Sequence, residues 1–357
     1  MIGRLAILAV LLAGPATAAN RSLTMAGIAD DIDPRVLDDF SAVTGIAVFY
    51  DGYDTPALVE ARVQTGMSGY DLAILSGPAV QRQAAGLQKI DKARVPGLAG
   101  LWPAVVSWQV VFDPGQAYGV PYQWYTTGIA FDVARARERL GEAGVTSWDV
   151  LFRLETLKKF TDCGVDVLDS AEDMMPVALA ALKLNPAGTS AENVRRAMDF
   201  LARLRSQVGK FTAADFTGAL VNGDACLAVG WTGEALQARS RAKASKGGPE
   251  IGYAIPREGT LASVEMLAIP KDAPHAADAH LLIDFLLKPE NAARNSIRTG
   301  LASSVLAAKA FLPPEIAGDA GVYPDEAQMK RLYAAPAPDA ATQKLLAREW
   351  QRVKTGK

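Results

Sequence analysis

A tryptophan and a carboxylate stand three residues apart at the end of a short apolar run in Asn222-Gly223-Asp224-Ala225-Cys226-Leu227-Ala228-Val229-Gly230-Trp231-Thr232-Gly233-Glu234. An indole face attracts a cation through its quadrupole, and a carboxylate offers it charge-assisted hydrogen bonds, so Trp231 with Glu234 suits an organic cation. A packed tryptophan beside a solvated glutamate is the structural alternative. Further acids fall near predicted strand ends or helix starts: Asp30 and Asp31 after the first apolar segment, Asp173 at a helix start, and Glu265 in a late strand, with Ser76 closing the third strand. Each alone reads as a surface or capping residue, Asp173 most plainly, because Ser170 and Asp173 form a capping box. Grouped at the rim of a low-dielectric cleft they attract cations, since carboxylates buried unpaired are unfavourable.

The chain offers little for catalysis. Its only histidines, His275 and His280, sit on a polar helix start, and no H-E-x-x-H, C-x-x-C, G-x-S-x-G, P-loop or G-x-G-x-x-G is present. A binding protein without cofactor or metal is the expectation, an enzyme on the same scaffold the lesser alternative. A formal charge of −2 on 357 residues presents no basic field for nucleic acid.

The elements that must position these residues alternate. Ser22 to Ile28 reads as a strand, Pro34 opens a helix with Val36, Leu37 and Phe40 on one face, and Ile46 to Tyr50 is a second strand. A helix over Ala57 to Gln64 and a strand over Asp71 to Ser76 continue a βαβαβ series, which predicts a parallel sheet with helices on both faces and ligands beyond the strands' carboxyl ends. Val120 to Phe131 is a long extended segment whose Pro121 predicts an edge or crossing strand running between two lobes. The second lobe repeats the alternation: a strand over Asp166 to Leu168, helices opened by Ser170/Asp173 and by Thr189/Glu192, the Trp231 strand turned sharply by Gly230 and Gly233, and strands over Ile251 to Pro256 and Val264 to Ile269.

The first residues carry Arg4, an apolar Leu5 to Ala13, and Ala16-Thr17-Ala18, the pattern of a cleaved signal peptide over residues 1–18. A secreted, soluble protein is expected. In such a compartment Cys163 and Cys226 read as a disulfide, with two buried free thiols as the alternative.

Taken together, Asp38–Ile46 (DDFSAVTGI), Ser68–Leu72 (SGYDL), Gln88–Lys92 (QKIDK), Val120–Ile129 (VPYQWYTTGI), Cys163-Gly164-Val165, Leu168-Asp169, Asn222–Glu234 (NGDACLAVGWTGE), Ile255–Gly259 (IPREG), Leu286–Glu290 (LLKPE) and Tyr323-Pro324 resemble the periplasmic polyamine-binding proteins of ABC transporters. The resemblance runs from about Asp30 to Lys357. It implies an α/β, two-lobed flytrap with two crossing strands, lobe I over 19–121 and 256–303 and lobe II over 122–255 and 304–357. It also implies a Cys163–Cys226 disulfide, a monomer in the periplasm, and delivery of a putrescine-like cation, or alternatively another amine-bearing solute, to an ABC permease. Position by position, the family's ligand contacts fall on Asp30, Ser76, Asp173, Trp231, Glu234 and Glu265. The chain departs from the family where Ile28, Asp31, Ser263 and Leu301 replace aromatics and Ala29 replaces a serine. Most of the aromatic box is therefore missing, and Asp31 adds an acid to the expected ligand set.

Overall fold

The computed structural model describes residues 21–212 and 216–356, so the expected signal peptide lies outside the described residues. Among the described residues ten strands are assembled: β1 (Arg21–Ile28), β2 (Ile46–Tyr53), β3 (Leu72–Ser76), β4 (Gly119–Asp132), β5 (Val165–Leu168), β6 (Lys210–Thr212), β7 (Leu227–Trp231), β8 (Ile251–Ala254), β9 (Ala262–Ala268) and β10 (Ala302–Ser303). Their order is β2-β1-β3-β9-β4-β7-β5-β6, with β8 and β10 also pairing β4. The first three strands are parallel, as alternation with helices requires, but β9 and β10 run antiparallel and make the sheet mixed.

The 14-residue β4 belongs to both halves of the molecule. Its first half pairs with β9 and β10, and its second half with β7 and β8. It crosses between them as expected, yet it is central and not an edge. Pro121 is tolerated there because the ladder with β9 shifts register between Pro121 and Gln123, a bulge that removes the need for a proline N–H. The return passage runs from β8 to β9 through residues 255–261.

Two main cores flank β4. One gathers Leu23, Phe40, Leu72, Trp124, Met266 and Leu286; there Trp124 meets Trp108 and Trp102 edge-on at 5.2 and 5.7 Å. The other gathers Ile129, Phe160, Met174, Met198, Leu227 and Trp350. Val305, Leu312, Tyr323, Leu332 and Ala334 pack with the first core. Tyr333 and Ala335 pack with the second core again. This stretch consists of short helices and turns without a long apolar period, so nothing in its pattern announces which core it joins.

Local chemistry explains the element ends. Asp33 caps the helix Pro34–Thr44 and Gly45 closes it in the left-handed region. Ser170 caps the helix Ala171–Ala181, as the capping box predicts. The helix Ala191–Ala202 is capped by Ser190 and not by Thr189, because the Ser190 hydroxyl accepts from the Asn193 N–H. Gly230 and Gly233 have no positive φ. They are required by close packing: a Cβ on Gly230 would meet the Phe216 ring at 2.3 Å, and one on Gly233 would meet Leu301 at 2.8 Å. Cys163 and Cys226 form a disulfide that ties the entry of β5 to that of β7, with Cα atoms 5.6 Å apart. No helix among the described residues is long and apolar enough to cross a membrane.

Candidate functional site

The register of the ladders collects one row of polar residues. Ser76, Glu265, Gln123 and Ser303 stand directly opposite one another across β3, β9, β4 and β10, and opposed residues share a face. Alternation along β4 adds Tyr125 and Thr127 to Gln123 on that face. Tyr125 lies opposite Ser263 and Thr127 opposite Trp231. The rings of Tyr125 and Trp231 meet edge to face with centroids 6.1 Å apart.

This face is short of hydrogen-bond partners. Seven buried side-chain nitrogen or oxygen atoms lack one among the described residues, and four of them belong here: Gln123 Oε1, Thr127 Oγ1, Trp231 Nε1 and Glu265 Oε2. Native proteins leave few such groups, so a cluster on one surface marks a place where a polar ligand or water completes the bonding.

Four carboxyl groups meet at the same face. Glu265 is 8% exposed, and burial together with the charges of Asp31 and Glu234 pushes its carboxyl well above the usual range. Asp31, also 8% exposed, is pushed up to about 7 by burial, against a hydrogen bond from the Ile28 N–H to its Oδ2 at 3.0 Å. Glu234 sits in the first turn of the helix Thr232–Ala244; burial, Asp31 and Asp173 raise it to about 7. Asp173 is raised to about 6 by burial, opposed by its hydrogen bond with Ser170. The Trp231 indole N–H lies toward Asp173 and favours its charged form, without a hydrogen bond of ordinary geometry. Carboxyl groups that hold one another's protons are poised to exchange them for a ligand's positive charges.

Among the expected residues, Asp31, Asp173, Trp231, Glu234 and Glu265 therefore come together, and Ser76 joins the row while its Oγ caps the next helix by accepting from Ala79 N–H. Asp30 does not join them. Its side chain is 69% exposed and pairs with Arg298 at 2.6 Å. The turn after β1 is folded so that the Ile28 N–H draws Asp31 inward, leaving Asp30 to the solvent side. Asp30→Ala is accordingly expected to change cation affinity by less than about threefold, as for an exposed ion pair; titration calorimetry of that variant checks it.

Sequence reasoning assigned no role to Gln123, Tyr125, Thr127 or Tyr50. Burial, and after it the charges of Glu265, Asp173, Glu234 and Asp31, raise the Tyr125 hydroxyl pKa, which places this ring among the four acids. Tyr50 is raised by burial and by Asp31, Glu265 and Asp30, and donates to Ile28 O at 2.5 Å. The period-two spacing of Gln123, Tyr125 and Thr127 puts them on one face of β4 but does not mark it as the cleft side, because β4 is buried on both faces. Leu301 closes against Gly233, and Ile28 and Ser263 are half-buried.

A mixed sheet whose central strand is shared by two cores, with an acid-lined, partner-poor face beside the crossing, defines a solute-binding architecture. The chain belongs to the bacterial extracellular solute-binding protein family, which it matches over residues 35–324. It is 35% identical over 354 residues to the putrescine-binding periplasmic protein SpuD of Pseudomonas aeruginosa, covering 98% of this chain and 96% of that one. It is 33% identical over 348 residues to the putrescine-binding periplasmic protein PotF of Escherichia coli, covering 96% and 94%. Among solved structures it resembles the spermidine/putrescine ABC transporter substrate-binding protein PotD of Streptococcus pneumoniae. There the TM-score is 0.81 at 25% identity, over 94% of this chain and 99% of that one.

Proposed function

We propose that this chain is the periplasmic substrate-binding component of an ABC transporter and that it carries a putrescine-like polyamine between two lobes to a membrane permease, acting as a monomer. The reading rests chiefly on one observation: the unpartnered atoms of Gln123, Thr127, Trp231 and Glu265 share one face with four mutually repelling carboxyl groups. A ligand with positive charge at both ends relieves that repulsion and satisfies those atoms together. In this reading Trp231 and Tyr125 flank the methylene chain, Glu265 and Asp31 take one ammonium group, and Glu234 and Asp173 take the other. Ser76 assists from the end of β3.

The packing supports lobe I over 21–124 and 262–332 and lobe II over 129–261 and 335–356, with β4 crossing from one to the other. Arg82, paired with Glu60 at 2.7 Å, reaches Glu172 of the other lobe at 3.2 Å, beside Asp173, and helps hold the cleft shut. Hinge closure of this kind removes water from the ligand.

A thermal-shift screen of 1,4-diaminobutane, linear triamines and basic amino acids, followed by calorimetry, tests the reading. Micromolar or tighter binding of at least one diamine or polyamine is expected, with Trp231→Ala weakening it at least about tenfold while circular dichroism stays unchanged. Absence of binding by every amine, or full affinity in Trp231→Ala, overturns it.

A further inference from the structure

The identity of the donors that the lobe I end of the cleft requires can be read from Gln123. Its Nε2 donates to Thr299 Oγ1 at 2.9 Å. The Thr299 hydroxyl spends its only proton on Asn295 O at 3.0 Å and also accepts from the Leu301 N–H at 3.1 Å. Thr299 is therefore an acceptor toward Gln123, which fixes the amide: Nε2 faces Thr299, and Oε1 is the free oxygen. That oxygen is buried and unpartnered.

Directly opposite on β9, Glu265 Oε2 is also buried and unpartnered. The neighbouring Asp31 commits Oδ2 to the Ile28 N–H, leaving Oδ1 available. With both carboxyl groups ionised these three groups are all acceptors, and no lysine or arginine pairs with Glu265 or Asp31 among the described residues. A buried acceptor without a donor loses its hydration with nothing in return. The complementary group is small, cationic and equipped with three N–H donors.

We propose that Gln123 is a specificity-determining residue whose Oε1, with Glu265 and Asp31, forms a three-acceptor seat for an unsubstituted primary ammonium group. This rests on the polyamine reading of the cleft and adds an end-group rule to it. A secondary ammonium brings two donors and leaves one acceptor bare; a tertiary ammonium brings one and leaves two. The seat therefore discriminates by donor count, where an aromatic box holds methylated and unmethylated cations alike through its ring faces.

Three probes test it by calorimetry at pH 8: 1,4-diaminobutane, its N,N′-dimethyl derivative and its N,N,N′,N′-tetramethyl derivative, in which both ends are altered so that neither orientation escapes. For the unaltered protein, affinity is expected to fall at least about tenfold at each step, the scale of one charge-assisted hydrogen bond. Gln123→Met removes the third acceptor at similar volume. It should weaken 1,4-diaminobutane at least about tenfold yet leave the N,N′-dimethyl derivative within about threefold, collapsing the difference between them. Equal binding of all three probes by the unaltered protein overturns the seat, and that comparison needs no variant to fold. Equal losses for both probes in Gln123→Met, or no loss, also overturn it while leaving the polyamine reading intact. Failure of the unaltered protein to bind 1,4-diaminobutane or any other amine overturns both.

Discussion

Glu265→Gln is expected to weaken diamine binding at least about 30-fold and, at pH 8, to raise the melting temperature of the ligand-free protein. The two effects have one cause. Glu265 is buried with an unpartnered oxygen and with Asp31 and Glu234 near enough to repel it, so its charge destabilises the empty protein. The same charge is repaid when an ammonium group arrives. Removing one member of a buried charge pair costs roughly 2–5 kcal/mol of binding, which is about 30-fold to several thousandfold. Glutamine keeps the shape and one acceptor oxygen, so cavity formation does not confuse the result. Calorimetry and thermal denaturation on the same sample check both halves. A variant that loses binding and stability together would mark Glu265 as a structural residue.

The affinity for a diamine is expected to climb by more than tenfold per pH unit between pH 5 and 7, then level off near pH 8. Asp31 and Glu234 hold protons up to about 7, Asp173 up to about 6, and Glu265 higher than its ordinary range. Alkylammonium groups stay charged throughout, so only the protein titrates. A dication binds the ionised carboxylates and must displace their protons, which makes binding weaker where those protons are held.

The stability of the ligand-free protein has the opposite slope. With folded pKa values raised above the unfolded ones near 4, the native state binds more protons than the unfolded chain between about pH 4 and 7. This contribution to stability is present at the acid end of that window, is lost as pH rises through the folded values, and stays absent above them. Melting temperature without ligand should therefore decline across pH 5 to 7, while the shift produced by saturating 1,4-diaminobutane should grow. Parallel curves with and without ligand would show that these carboxyl groups are not at the binding site.

Much of this organisation was legible in the chain, for reasons that differ by element. The β1–β3 series was readable because apolar runs and helix caps such as Asp33 are local signals. Trp231 and Glu234 stood out because an aromatic and an acid follow an apolar strand. The choice between Asp30 and Asp31 was not readable. It depends on the Ile28 N–H and on Arg298, which is 268 residues away from Asp30. Gln123, Tyr125 and Thr127 were hidden for a related reason. Central β4 is buried on both faces, so apolar alternation never distinguished the cleft side. The placement of 305–334 with the first core is a tertiary outcome of short, aperiodic segments.

The most direct measurement is the number of protons released when 1,4-diaminobutane binds at pH 6.5, obtained by calorimetry in two buffers of different ionisation enthalpy. A cleft lined by Asp31, Asp173, Glu234 and Glu265 releases about one proton or more per ligand bound. Binding with no proton release, or with uptake, would contradict the assignment of this acidic face as the ligand's seat.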